Sequence, residues 1–130
     1  MPSYDRYSRP IHSLVLDTAP LLTVPYSQIK SYNAAHYYTV PLAKEEVKDE
    51  TARAALEIWA NELRVRQPHP KSIQEVTSFA KKTGDYAVLS IADIHVLALT
   101  YELECDLNRG DWRLHKEPGS VCVYYKVSNL

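Results

Sequence analysis

Three acidic residues, Asp17, Glu46 and Asp93, stand in different thirds of the chain, each where a strand ends or a helix begins. An α/β fold can bring such positions together at one edge of its sheet. Carboxylate oxygens grouped in this way are the ligands that Mg²⁺ prefers. Divalent ions held there activate water and stabilise the charge that develops on a phosphodiester. The spacing is therefore compatible with metal-dependent hydrolysis of a nucleic acid backbone.

Asp17 directly follows an apolar run at residues 14–16, which is typical of a strand buried on both faces. A charged side chain at this point is costly unless something pairs with it, and a divalent cation would do so. Asp17 also suits the N-cap of a helix that begins with Thr18, Ala19 and Pro20. On spacing alone both interpretations remain open.

The other two acids also have structural interpretations. Glu46 belongs to an acidic run over residues 45–50, and such runs usually form a solvated helix face. Asp93 follows Ser90 by three residues, which resembles a capping box, and an acid in the first turn is favoured by the helix dipole. The residues alone do not decide between capping, solvation and metal binding.

The elements that must position these acids alternate between strands and helices. The pattern predicts strands over 13–17, 36–40 and 121–127 and a short edge strand over 63–66. It predicts helices over 21–33, 42–61, 70–82 and 91–104, the first disturbed at Pro25 and the second bent near 49–51. This alternation indicates one α/β domain with a mainly parallel sheet.

Composition excludes several classes of protein. The 130 residues carry a net charge of −1, so the chain lacks the overall basic charge typical of nucleic-acid-binding domains. RNA contact would depend on local groups such as Lys81, Lys82 and Arg113, although an ordinary surface role is the more common explanation for any one of them. The absence of a C-x-x-C pair predicts no zinc site, and two isolated cysteines indicate an intracellular protein. The sequence contains no run of about 18 apolar residues, so no membrane span is predicted.

Three stretches carry a family resemblance: LVLDTAP at 14–20, PLAKEEVKD at 41–49 and FAKKTGDYAVLSIADIHVLALTYEL at 79–103. Together they resemble the PIN domain of the NIN-one-binding protein family. The resemblance covers residues 11–119, and NRGDWRL at 108–114 is similar to the fungal branch of that family. It implies a three-layer α/β/α domain with a mainly parallel central sheet.

The resemblance also implies a function. The family is the endonuclease that makes the final cut at the 3′ end of 18S ribosomal RNA, with Mg²⁺ or Mn²⁺. The implied partners are the 18S rRNA precursor, the pre-40S particle and its assembly factors, with no role for DNA or a membrane. The implied location is the nucleus, nucleolus and cytoplasm. A toxin-like PIN ribonuclease acting on other RNA is a further candidate, but the block at 79–103 argues against it.

Matched position by position, the resemblance assigns metal binding and catalysis to Asp17, Glu46 and Asp93. It therefore favours the catalytic interpretation that spacing alone left open. A second set is expected to support these ligands without binding the metal: Asp85, Ser90 and Thr18.

The sequence departs from the family over residues 108–130. PIN domains complete their acidic cluster with a fourth aspartate after the strand that follows the long helix. Here the predicted strand at 121–127 is followed by Ser128, Asn129 and Leu130, and no zinc ribbon follows. We therefore predict a flexible lead-in at 1–12, a PIN-like nuclease domain at 13–107, and an insertion with an atypical or truncated tail at 108–130. The alternative function is a catalytically incomplete PIN fragment that binds RNA or the pre-ribosome.

Overall fold

The computed structural model describes residues 11–107 and 121–124. The strands are β1 (Ile11–Leu16), β2 (Ala34–Thr39), β3 (Leu63–Val65) and β4 (Val121–Tyr124). The α-helices are α1 (Thr18–Thr23), α2 (Tyr26–Lys30), α3 (Pro41–Glu45), α4 (Glu50–Trp59), α5 (Pro70–Thr83) and α6 (Ile91–Leu107). Short 3₁₀ turns lie at Ala60–Glu62 and Tyr86–Val88.

The four strands form one parallel sheet in the order β3-β2-β1-β4. β1 is an inner strand that pairs with β2 on one side and β4 on the other. Helical crossovers link β1 to β2 and β2 to β3, as parallel strands require. The predicted α/β class and parallel sheet are confirmed, and β3 is an edge strand as its alternating residues indicated.

Helices cover both faces of the sheet, which gives the three-layer arrangement. On one face, the side chains of Val15 and Tyr38 pack with α3 and with Val96 and Leu99 of α6. On the other face, a second core joins β1 and β2 to α1, α2 and α4. Its buried members are Leu14, Leu16, Leu21, Ile29, Tyr37 and Trp59. Because successive residues of β1 enter opposite cores, the whole run at 14–16 is apolar.

Helix boundaries follow local signals in the sequence. Pro25 separates α1 from α2, as predicted. The bend predicted near 49–51 is the start of α4, where the carboxylate of Asp49 accepts the Ala52 N–H at 2.7 Å. α5 ends at Gly84, which adopts the left-handed conformation at φ 86°. α6 is apolar on two flanks because it packs against the sheet on one side and α5 on the other.

Several predicted boundaries differ from the structure: the helix predicted over 21–33 is α1 and α2, which begin at Thr18, and β2 begins at Ala34 instead of residue 36. β1 begins at Ile11, two residues before the predicted domain start at residue 13. β4 spans Val121–Tyr124, within the longer strand predicted over 121–127. The rest of the predicted lead-in, insertion and tail, at 1–10, 108–120 and 125–130, lies outside the described residues. Within the described ranges, no helix combines the length and apolar character needed to cross a membrane.

Candidate active site

Asp17 lies at the carboxyl end of β1, where the chain leaves the sheet and enters α1. Its Oδ1 accepts the backbone N–H of Thr18 at 2.7 Å, so the predicted N-cap role is confirmed. The Thr18 hydroxyl donates to the Ala43 carbonyl at 3.4 Å, which connects the start of α1 to α3. Asp17 is thus held on a short, well-connected turn at the edge of the sheet where ligand sites of parallel sheets occur.

Neighbouring acids raise the pKa of Asp17. Burial of the carboxyl group raises this pKa most, and the hydrogen bond from the Thr18 N–H opposes that rise. The negative charges of Asp93 and Glu46 raise the pKa further. Coulombic effects of this kind require short separations, because water and salt screen distant charges. The fold therefore brings three carboxylates from different parts of the chain into one electrostatic neighbourhood.

Asp93 opens α6 in a reciprocal capping box. Its Oδ2 accepts the backbone N–H of Ser90 at 2.9 Å, and the Ser90 hydroxyl accepts the N–H of Asp93 at 3.0 Å. The S-x-x-D pattern read from the sequence is therefore confirmed as a cap. The two hydrogen bonds of the cap hold the Asp93 side chain in one rotamer, which orients its carboxylate. The cap uses Oδ2, so Oδ1 can still accept. Capping and participation in an acidic site are compatible for this residue.

Glu46 has fewer constraints. It is the C-cap residue of α3, and its backbone N–H donates to the Ala43 carbonyl at 3.2 Å. Its side chain is exposed, unlike the half-buried side chains of Asp17 and Asp93. Val47, the next residue, is buried in the protein and anchors this end of α3. Hydrogen bonds therefore orient the carboxylates of Asp17 and Asp93, whereas the side chain of Glu46 is exposed at the surface.

The donor set fits a hard divalent cation in its chemistry. All three side chains offer carboxylate oxygen, and their mutual repulsion is what a cation would relieve. In the part of the chain that the structure describes, no set of three or more His, Cys, Asp and Glu side chains stands close enough to hold a metal ion. The charges of the three carboxylates thus influence one another, but the side chains are not close enough together to form a complete coordination shell.

The remaining predicted residues lie around the turn between α5 and α6. Asp85 is exposed, and its Oδ2 accepts the Thr83 hydroxyl at 2.8 Å, so this carboxylate stabilises the turn after α5. Lys81 and Lys82 are exposed in the last turn of α5, where positive side chains interact favourably with the helix dipole. Arg113 lies outside the described residues.

Sequence reasoning missed Thr39, which is fully buried at the end of β2. Its hydroxyl donates to the Leu16 carbonyl at 2.9 Å, directly before Asp17. The bond holds the ends of β1 and β2 in register at the candidate site. A threonine at the end of a predicted apolar strand was the available signal, but its partner follows only from the strand order.

The family profile described as PIN domain of ribonuclease matches residues 14–103 of this chain. The chain belongs to the PIN domain family. The matched range contains all three acids and ends within α6. The family assignment therefore agrees with the parallel sheet and with the edge at which the acids meet.

Named relatives of this PIN domain occur in eukaryotes and archaea. It is 50% identical over 113 residues to the 20S-pre-rRNA D-site endonuclease of Saccharomyces cerevisiae, with 85% of this chain and 24% of the relative covered. It is 46% identical over 112 residues to the protein of that name from Schizosaccharomyces pombe, covering 86% of this chain and 28% of the relative. It is 38% identical over 79 residues to the endoribonuclease Nob1 of Pyrococcus abyssi, covering 59% of this chain and 49% of the relative. The chain thus spans about a quarter of the length of its yeast relatives.

Proposed function

We propose that this PIN domain is a metal-dependent endoribonuclease that cleaves the 18S rRNA precursor at its 3′ end during maturation of the small ribosomal subunit. The observation that carries the proposal is the electrostatic coupling of Asp17 with Glu46 and Asp93 at the carboxyl edge of a parallel sheet. Two yeast relatives that are 50% and 46% identical are named as D-site endonucleases of 20S pre-rRNA, which supports the same substrate.

The residues of this chain have distinct roles in the proposed reaction. Asp17, Glu46 and Asp93 would hold Mg²⁺ or Mn²⁺, and the bound ion supplies an activated water and offsets charge on the phosphate. The Thr18 N–H orients Asp17, and Ser90 orients Asp93. These hydrogen bonds orient two of the three carboxylates before the substrate arrives.

Electrostatics explains why the proposal includes a cation. Burial raises the pKa of Asp17 most, and the negative charges of Asp93 and Glu46 raise it further, so the three carboxylates repel each other. The same charges would repel the phosphodiester of an RNA substrate. A divalent ion removes both obstacles and is therefore an expected requirement for activity. We further propose that the domain acts within pre-40S particles together with their assembly factors, in the nucleus, nucleolus and cytoplasm.

The test is cleavage of a synthetic RNA that spans the 3′ end of 18S rRNA by the 130-residue chain in Mn²⁺ or Mg²⁺. We expect a single cut that is lost in EDTA and lost in Asp17→Asn and Glu46→Gln. Asp49→Asn and Glu45→Gln are matched controls, because they make the same chemical change at exposed acids, and asparagine caps α4 as well as aspartate does.

Two outcomes would contradict the proposal. Cleavage that persists in both Asp17→Asn and EDTA would remove the acidic site from the reaction. Tight binding of the RNA or of pre-40S particles without turnover in either metal would favour the binding-module alternative. Isothermal titration of Mn²⁺ into wild type and Asp17→Asn separates the metal site from turnover, since equal heats would exclude Asp17 as a ligand.

A further inference from the structure

The turn that leads into α6 exposes an unusual amount of apolar surface beside the acids. Tyr86 is 46% exposed, Val88 is 79% exposed and Ile91 is 71% exposed. These residues surround the N-terminus of α6, the same end that presents Asp93. Single exposed apolar residues are ordinary, but several beside one another indicate a surface that meets a ligand or partner.

A cavity of about 350 Å³ opens behind Tyr86. It lies between α5, the 3₁₀ turn and α6, and its lining includes Ile73, Thr77, Tyr86, Ile91, Ile94 and His95. The volume is at the small end of the range of about 300–1,000 Å³ for small-molecule sites, which suits one planar ring rather than a larger ligand. The lining is mainly apolar, with a hydroxyl and an imidazole as polar groups.

His95 gives the cavity an unused polar atom. Its Nδ1 is buried and has no hydrogen-bond partner within the described part of the chain. Buried polar atoms without partners are rare in native proteins, and each one calls for an explanation. The side chain of His95 forms part of the cavity wall, so a ligand in the cavity would lie next to this group.

Two lysines lie on one side of the cavity. The ammonium of Lys81 lies 5.0 Å from the centroid of the Tyr86 ring, and Lys82 is exposed in the same helical turn. An aromatic ring with a cation beside it is the combination that proteins use for single-stranded nucleic acid, since bases stack on the ring and phosphates meet the cation. The surface therefore offers RNA an aromatic ring and two cations.

We propose that the Tyr86 cavity is a base-binding subsite that holds an unpaired nucleobase of the RNA beside the scissile phosphate. Tyr86 provides the stacking surface, Thr77 adds a hydroxyl group to the cavity lining, and Lys81 contacts the adjoining phosphate. The subsite and Asp93 occupy opposite sides of the N-terminus of α6, a helix about 10 Å wide. A strand that crosses this helix end would therefore reach both within a few nucleotides. The inference rests on the proposed ribonuclease function because it assigns the same RNA to this surface.

Binding measured without cleavage tests the subsite separately from the catalytic function. The assay is fluorescence anisotropy of a labelled oligouridylate of about 12 nucleotides with the 130-residue chain in EDTA. Tyr86→Ala should weaken binding by between about 5-fold and about 150-fold, the range for loss of one base–aromatic stack. The loss should vanish on an abasic oligomer with the same phosphates. Lys81→Ala should instead weaken binding to both oligomers and lower the slope of log K against log salt by about 0.7.

Tyr32→Ala is the matched control. Tyr32 is 45% exposed, like Tyr86, but it lies between α2 and β2 at the opposite edge of the sheet. Equal losses for Tyr86→Ala and Tyr32→Ala, or an equal loss on the abasic oligomer, would overturn the proposal. Tyr86→Trp tests the same proposal if the alanine variant does not fold. This variant should bind RNA with the affinity of wild type, and the stacked base should quench the fluorescence of the new tryptophan. Unquenched fluorescence in bound RNA would also overturn it.

The outcomes distinguish the two proposals. Loss of base binding in Tyr86→Ala by a chain that never cleaves RNA would support the subsite and contradict the nuclease function. Normal base binding by Tyr86→Ala in a chain that cleaves RNA would contradict the subsite alone.

Discussion

The hydroxyl of Thr39 provides a sharp test of how the sheet positions Asp17. Thr39 is 0% exposed, and its hydroxyl donates to the Leu16 carbonyl at 2.9 Å. Thr39→Val replaces the hydroxyl with a methyl group of similar size, so packing changes little. The substitution removes the donor and leaves a buried carbonyl with one fewer partner, immediately before Asp17.

The expected cost follows from that single lost bond. Leaving a buried acceptor unsatisfied costs about 1–3 kcal/mol, and the added methyl group returns little because the pocket is already filled. A domain of this size has a free energy of unfolding of about 5–15 kcal/mol, so the loss is a measurable fraction. With a urea m-value of about 2 kcal/mol per M, a loss of about 2 kcal/mol lowers the midpoint by about 1 M.

Equilibrium urea unfolding of wild type, Thr39→Val and Thr39→Ser measures this effect. Serine keeps the hydroxyl and loses one methyl group, which costs about 0.8 kcal/mol plus any cavity term. We therefore expect the valine variant to be the less stable of the two. Mn²⁺ titration should also weaken in the valine variant, because the backbone before Asp17 is no longer held to β2.

A valine variant that is as stable as the serine variant and binds Mn²⁺ like wild type would refute this reasoning. It would mean that the strand ends are held by the backbone ladder alone, and that the Thr39 hydroxyl contributes nothing to the position of Asp17.

Two further predictions concern local charge and backbone conformation. Burial raises the pKa of Asp17 in the folded protein above its ordinary value of 3.8, so the contribution of this carboxyl group to the free energy of unfolding falls as pH rises through the unfolded and then the folded pKa. Asp17→Asn lacks this titrating group, so its free energy of unfolding relative to that of wild type should be higher at about pH 7 than at about pH 3 in EDTA, as measured by urea unfolding. The same difference between variant and wild type at both pH values would contradict this prediction. Gly84→Ala should lower the free energy of unfolding by about 1–2 kcal/mol, because alanine is strained at the φ of +86°. A clash would not add to this cost, since an added Cβ would meet no atom within 4 Å. Gly84→Asn should cost less by the same measurement, and equal costs would argue against a purely conformational origin.

Local signals in the sequence were sufficient for the elements. The apolar run at 14–16 predicted a buried strand, and Pro25 predicted the break between α1 and α2. The Ser90–Asp93 spacing predicted where α6 begins, and the bend predicted near 49–51 coincides with the start of α4. Each of these signals acts within a few residues, through capping or through the restricted φ of proline, and the structure confirms them.

Features that depend on long-range register could not be read from the sequence. The bond between Thr39 and Leu16 exists only because β2 lies beside β1 in one register. The cavity behind Tyr86 depends on the angle at which α5 packs on α6, and no periodicity reports that angle. The metal-binding roles of Asp17, Glu46 and Asp93 remain predictions, supported by the mutual repulsion of their charges.

The position of β4 has a consequence for how the chain folds during synthesis. Ser13 on β1 pairs in register with Val121 on β4, more than a hundred residues later. β1 therefore leaves the ribosome before the other three described strands, yet one of its two hydrogen-bonded edges stays open until β4 has been translated. Contacts between such distant residues form slowly because a long loop must close first. During that interval the open edge of β1 would be the surface that chaperones need to protect from pairing with other chains.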